Sequence, residues 1–211
     1  ILPPGIYPDR KYSQQPENSR QVVREKNDIG LDQYLLLQVG SDFKRKGVPR
    51  TLQALASLPD VIRHRTRLMV VGQDKADRYR AQARQLGVEE QVQFFSGRDD
   101  VAELMSAADL LLHPAVQEAA GIVLLEAVVA GLPVLTTEVC GYAGYINAAQ
   151  CGVVIPEPFE QENLNTALFD ALQNNEQRSR WAGNARHFAD TEDLYSLADK
   201  AADIILGPKN D

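Results

Sequence analysis

The 211 residues include only two cysteines, two methionines and one tryptophan. Cys140 and Cys151 are too few for a disulfide framework and lack metal-ligand spacing, so they read as free thiols. No uninterrupted apolar run reaches the roughly 18 residues that a membrane-spanning helix needs. The nearest approach, residues 119–135, carries Glu126 at its centre and Gly131-Leu132-Pro133 near its end. That pattern suits a buried helix followed by a strand, because a carboxylate at mid-bilayer is costly. A broad basic face is also missing. Residues 1–117 hold 17 bases against 15 acids, and residues 118–211 only 5 against 14. Nucleic-acid binding by counterion release is therefore excluded as a function class.

What basic charge there is falls in two short clusters. One is Lys44-Arg45-Lys46 with Arg50; the other is Arg63, Arg65 and Arg67. Each is large enough to meet one phosphate group or one anionic surface, or to be an ordinary solvated loop. Hydrophobic residues at 44% and charged residues at 24% are usual for a folded domain. No signal peptide is visible. The chain starts with Ile1 and the linker-like Pro3-Pro4-Gly5, which reads as a piece of a longer protein.

Short apolar runs alternate with amphipathic ones. Strands are predicted over 34–39, 67–71, 91–95, 109–112, 133–136 and 152–155. Helices are predicted over 49–58, 75–86, a short stretch to 106 capped by Asp99-Asp100, 121–130 and 143–149, and then three in succession over 161–173, 176–188 and 195–206. Continuous apolar strands alternating with helices specify an α/β fold, a Rossmann-like, doubly wound parallel sheet. Such sheets bind ligands beyond the carboxyl ends of their strands.

Two of those strand ends carry suggestive chemistry. Gly40-Ser41-Asp42-Phe43-Lys44-Arg45-Lys46-Gly47 runs from a strand into a helix, whose free N–H groups and dipole attract anions. With Arg45 and Lys46 there, a diphosphate is the expected ligand. The loop matches neither Gly-x-x-x-x-Gly-Lys-Ser/Thr nor Gly-x-Gly-x-x-Gly, so a dinucleotide cofactor is disfavoured. In the second, Glu118 precedes a helix opened by Gly121, and Glu126 interrupts its apolar run. A carboxylate in such a run needs partners, and the hydroxyls of a ribose would suit it. Glu118 can accept from sugar hydroxyls; solvated positions are the alternative for both acids. Glycoside hydrolysis needs two carboxylates flanking one bond, and these lie at different depths.

Glu118 and Glu126 with seven residues between them, followed by Ala127 and Gly131-Leu132-Pro133, resemble the Glu-x7-Glu motif of retaining GT-B glycosyltransferases of family 4. Ordered neighbours strengthen the likeness: Leu2-Pro3-Pro4-Gly5, Lys46-Gly47, Val70-Val71-Gly72 and Phe95-Ser96-Gly97-Arg98. Within that family the chain is most similar to the lipopolysaccharide core glucosyltransferase I group, over nearly its whole length.

The resemblance implies transfer of glucose from UDP-glucose, with retention, to a heptose of the lipopolysaccharide inner core, with no metal or other cofactor. It makes Lys46 the diphosphate contact, Glu118 the contact to the donor sugar and Glu126 the ribose holder. Lys46 and Glu118 are thus the implied catalytic residues. Gly40, Ser41, Arg45, Gly97, Arg98, Ala120, Gly121, Ile122 and Val123 complete the donor site. Ser41 stands where many relatives have Arg, and Arg45 is a conjectured substitute. His113 stays open between core packing and site lining.

The resemblance also implies that residues 1–190 form the donor-binding half of a two-domain enzyme. Residues 191–211 would be a helix and tail crossing to an acceptor-binding half that is not in this chain. The chain alone would bind donor without transferring it. A cytoplasmic location is implied, with Arg63, Arg65 and Arg67 as candidates for peripheral contact with the inner membrane. A family 4 transferase with a different nucleotide sugar, and a non-catalytic nucleotide-sugar module, stay open as alternatives.

Overall fold

The leucine run Leu35-Leu36-Leu37 shows how the molecule is layered. Successive side chains on a strand point to opposite faces. All three are fully buried, Leu35 and Leu37 in one apolar cluster and Leu36 in another. The sheet that carries them must therefore be covered on both sides. The computed structural model describes residues 4–7 and 19–206. Leu2 and Pro3, residues 8–18 and residues 207–211 lie outside the described residues.

Six strands form one sheet: β1 (Tyr34–Val39), β2 (Thr66–Val71), β3 (Val92–Phe95), β4 (Leu110–His113), β5 (Val134–Thr137) and β6 (Gly152–Ile155). All pairings are parallel and the order is β3-β2-β1-β4-β5-β6. This is the classic order of dinucleotide-binding doubly wound sheets. The chain winds outward from β1 in one direction and from β4 in the other. The crevice between the β1 and β4 carboxyl ends is the switch point.

On one face lie α1 (Ser19–Lys26), α5 (Val101–Ala107), α6 (Ile122–Val129), α7 (Ala143–Ala149) and α9 (Asn175–Thr191), around the cluster of Leu35, Met69, Leu111 and Val134. On the other lie α2 (Val48–Ser57), α4 (Asp77–Gln85) and α8 (Gln161–Gln173), around Leu36, Leu68, Leu110 and Leu135. A short α3 (Asp60–Arg63) bridges α2 and β2, and α10 (Leu197–Leu206) follows α9. Ile204, Ile205 and Leu206 at the end of α10 are exposed. No described helix is long and apolar enough to cross a membrane.

The predicted six strands and eight helices all form, with boundary shifts of up to three residues. One shift matters for function: β4 includes His113, which was expected just past the strand. Two helices were missed. α3 is a single turn, and α1 buries Arg24, which is fully enclosed. Its guanidinium donates to Ala107 O at 3.0 Å and Gly30 O at 3.2 Å, and pairs with Asp109 at 3.4 Å.

The second basic cluster does not form a free patch. Arg63 donates to Ala56 O, Leu58 O and Asp60, Arg65 to Asp32 O, and Arg67 to His64 O and Thr66 O. These arginines close the turns around α3. The carboxylate of Asp100 does not cap α5; Arg98 occupies it instead.

Candidate functional site

The loop after β1 and the loop after β4 interlock at the switch point. Gly47 has φ +77°, and a Cβ there would stand 1.9 Å from the Pro114 carbonyl oxygen, so only glycine fits. The Val116 N–H donates to Arg45 O at 2.8 Å. Arg50 donates to Ala115 O at 2.7 Å while its guanidinium lies 3.5 Å over the Phe159 ring. From below, Thr137 Oγ1 donates to the same carbonyl at 2.8 Å, and Gln38 Nε2 donates to Lys46 O at 2.8 Å. Arg50 was predicted only as part of a basic cluster. Gln38 and Thr137 gave no sequence signal at all, because each acts on a backbone carbonyl brought in by the fold.

This frame joins Lys46 and Glu118, 72 residues apart in sequence, in a direct ion pair. Their side chains are only 14% and 9% exposed, so solvent weakens the pair little. Beneath them His113 Nε2 lies 3.5 Å from Glu118 Oε2, with the imidazole fully buried. His113 and Lys46 together hold the Glu118 carboxyl at about 2, against the upward push of burial. Both open readings of His113 thus apply: it is core, and it lines the site.

Glu118 bridges to Cys140 as a parallel pair, and Ala120 O accepts from the Tyr142 N–H at 2.8 Å. These contacts pin the strip that leads into α6. Gly121 is the N-cap of α6, with φ +83° and no side-chain cap. The amino end of α6 therefore offers first-turn N–H groups to an anion. Ala120 and Ile122 are exposed beside it and Val123 is buried. Glu126 is half-buried one turn further in, four residues from Ile122, and so on the same helical stripe about 6 Å along the axis.

The amino end of α2, expected to join in binding a diphosphate, is partly taken up by its own loop. The Gly47 N–H is taken by Lys44 O at 3.2 Å and the Val48 N–H by Phe43 O at 2.9 Å, and Pro49 has none. The loop thus occupies the first donors of its own helix, whereas α6 starts without a side-chain cap.

The remaining predicted residues are less alike. Gly40 packs against the Lys46 side chain, which would lie 3.2 Å from a Cβ on it. Ser41 is exposed, and its Oγ accepts from the Gln73 N–H at 3.1 Å. Arg45 is exposed and turned to Asp42 at 3.2 Å, so its guanidinium is not drawn into the crevice. Gly97 is exposed at the end of β3. Arg98 holds Asp100 through two bonds of 2.7 and 2.6 Å, reaches Asn27 at 3.1 Å, and lies 4.9 Å over the Phe95 ring. Its side chain is thus committed to these contacts.

Residues 19–188 match the family described as glycosyl transferases, group 1. The chain belongs to the group 1 glycosyl transferases. Its curated relatives in that family include the lipopolysaccharide glucosyltransferase WaaG of Escherichia coli K12, 68% identical over 98% of this chain and 55% of that protein. A crystal structure of WaaG superposes with a TM-score of 0.96 and 67% identity, covering 99% of this chain and 56% of that one. Anabaena HepE, solved with UDP and glucose, shares the fold at 22% identity, with a TM-score of 0.80 over 91% of this chain and 53% of its own. This group 1 chain thus spans about half the length of the relatives it matches.

Proposed function

We propose that this chain is the donor-binding part of a retaining glycosyltransferase that moves glucose from UDP-glucose to a heptose of the lipopolysaccharide inner core. One observation carries the reading. Lys46 and Glu118 meet beside the uncapped amino end of α6, at the switch point of the sheet. An ammonium, a row of backbone N–H groups and a carboxylate in one crevice match the parts of a nucleotide sugar. The diphosphate lies on Lys46 and the α6 amino end, the hexose hydroxyls on Glu118, and the ribose hydroxyls on Glu126. The base lies toward the backbone of Gly97 and Arg98.

The chemistry follows from that placement. As the bond from the anomeric carbon to the diphosphate breaks, negative charge grows on the leaving oxygens. Lys46 and the preorganised α6 dipole stabilise that charge without needing a metal. The acceptor hydroxyl enters from the face the diphosphate leaves, which keeps the anomeric configuration. The acceptor itself is held by the rest of the enzyme, so this chain alone binds donor and transfers nothing. The site belongs to the cytoplasmic side of the inner membrane, where nucleotide sugars are available.

Calorimetry with UDP tests the reading. The chain should bind UDP equally with magnesium and with a chelator, and Lys46→Ala should weaken binding by about tenfold or more, the loss of one charge-assisted contact. Equal affinity in the two proteins would remove Lys46 from the diphosphate site.

A further inference from the structure

Glu118 Oε2 is shared: the Lys46 ammonium rests on it from the β1 side, and His113 Nε2 waits 3.5 Å away on β4. Among the described residues neither nitrogen of the buried His113 ring makes a close hydrogen bond, and its polar neighbours are Glu118 and the Cys140 thiol. The charged and titratable groups that act on the ring come from three loops: Glu118 after β4, Lys46 after β1 and Cys140 after β5. Thr136 Oγ1 donates to Cys140 Sγ at 3.3 Å and fixes the thiol.

On the donor-binding reading above, Lys46 has two claimants. It is paired with Glu118 in this structure, and the donor diphosphate needs the same ammonium. When Lys46 turns to the phosphates, a carboxylate only 9% exposed loses its cation. His113 is the base already beneath it.

We propose that His113 is the positioning residue of this site: as Lys46 leaves for the diphosphate, His113 closes on Glu118 as the imidazolium and keeps that carboxylate ionised and aimed at the donor hexose. Burial opposes a charged ring, but attraction to Cys140 and Glu118 outweighs it and holds His113 above the ordinary imidazole value. Lys46 is the one neighbour that pushes it down by charge. Removing that ammonium, by ligand or by mutation, therefore favours the imidazolium further. Donor binding is coupled to proton uptake at His113.

The test begins with UDP binding to the unaltered chain. No binding would overturn the donor reading and this inference together. With binding established, the three histidines are titrated by NMR without and with saturating UDP. His113 should rise by about 1 pH unit on UDP binding, and Lys46→Ala should raise it without ligand, while His64 and His187 stay put. A His113 midpoint unmoved by Lys46→Ala overturns the inference and leaves the donor reading standing.

The second measurement is the ratio of UDP-glucose to UDP affinity. His113→Leu should reduce that ratio about tenfold, and His113→Gln, whose amide N–H stands in for Nε2, should keep most of it. A purely packing role would lower the melting temperature of both variants and leave the ratio alone. An unchanged ratio in His113→Leu, or a wild-type chain that binds the two ligands alike, overturns the proposal.

Discussion

Gly47 and Pro114 are in backbone contact across the switch point, with room of 1.9 Å between an added Cβ on the glycine and the proline carbonyl oxygen. The β1 and β4 loops are therefore packed backbone to backbone, and that contact sets Lys46 beside Glu118. Gly47→Ala should destabilise the chain by about 2 kcal/mol or more, from the clash and the positive φ together. It should also weaken UDP binding in whatever fraction stays folded. Urea denaturation and calorimetry on the same preparation separate the two effects.

Arg24→Ala should cost about 3 kcal/mol, because it removes a fully buried guanidinium that pairs with Asp109 and donates to the Gly30 and Gln33 carbonyls. The loss is read as a lower urea midpoint with unchanged slope. UDP affinity should not move, since the partners of Arg24 all lie just before β1 and β4, at the strand ends opposite the crevice.

The pH dependence has two opposite arms. The folded Glu118 carboxyl titrates at about 2 against an ordinary 4.5, so its contribution is present above 4.5 and lost as pH falls toward 2. His113 is raised from an ordinary 6.5, so its contribution is full below 6.5 and lost as pH rises through its higher folded value. Both act together between 4.5 and 6.5. The stability gap between the wild type and Glu118→Gln should be widest in that window and shrink in acid. A gap constant from pH 6 to pH 3 would sink the assignment.

The two thiols should differ. Burial raises both, but His113 and Thr136 bring Cys140 below the ordinary thiol value, whereas Cys151 is pushed up to about 12. A small alkylating reagent near pH 8 should therefore modify Cys140 first, with mass spectrometry of peptides as the readout. UDP should slow that modification by tightening the crevice.

Much of this architecture was legible in the pattern of residues. The apolar runs gave the strands because buried parallel strands need no polar alternation, and Gly40, Gly72 and Gly97 marked their ends. Lys46, Glu118 and Gly121 stood out because charge and glycine just past a strand are unusual unless something binds there. What stayed hidden was hidden for physical reasons. Arg24 reads as a surface residue, and only the fold supplies the carbonyls that let it be buried. The capping of α2 by its own loop depends on backbone hydrogen bonds that no side-chain pattern encodes. His113 falls one residue past the expected strand, and its neighbour Cys140 comes from a loop 27 residues on.

The order β3-β2-β1-β4-β5-β6 has a further consequence for how this protein tolerates change. The ammonium and the carboxylate are delivered by opposite wings of the sheet, so neither wing owns a binding site. A cut that lets β1 separate from β4 carries Lys46 away from Glu118 and also opens both apolar clusters, since each runs across β1 and β4. The junction of the two innermost strands is where the ammonium and the carboxylate meet, and β5 with the loop after it braces it from one side through Thr137 and Cys140.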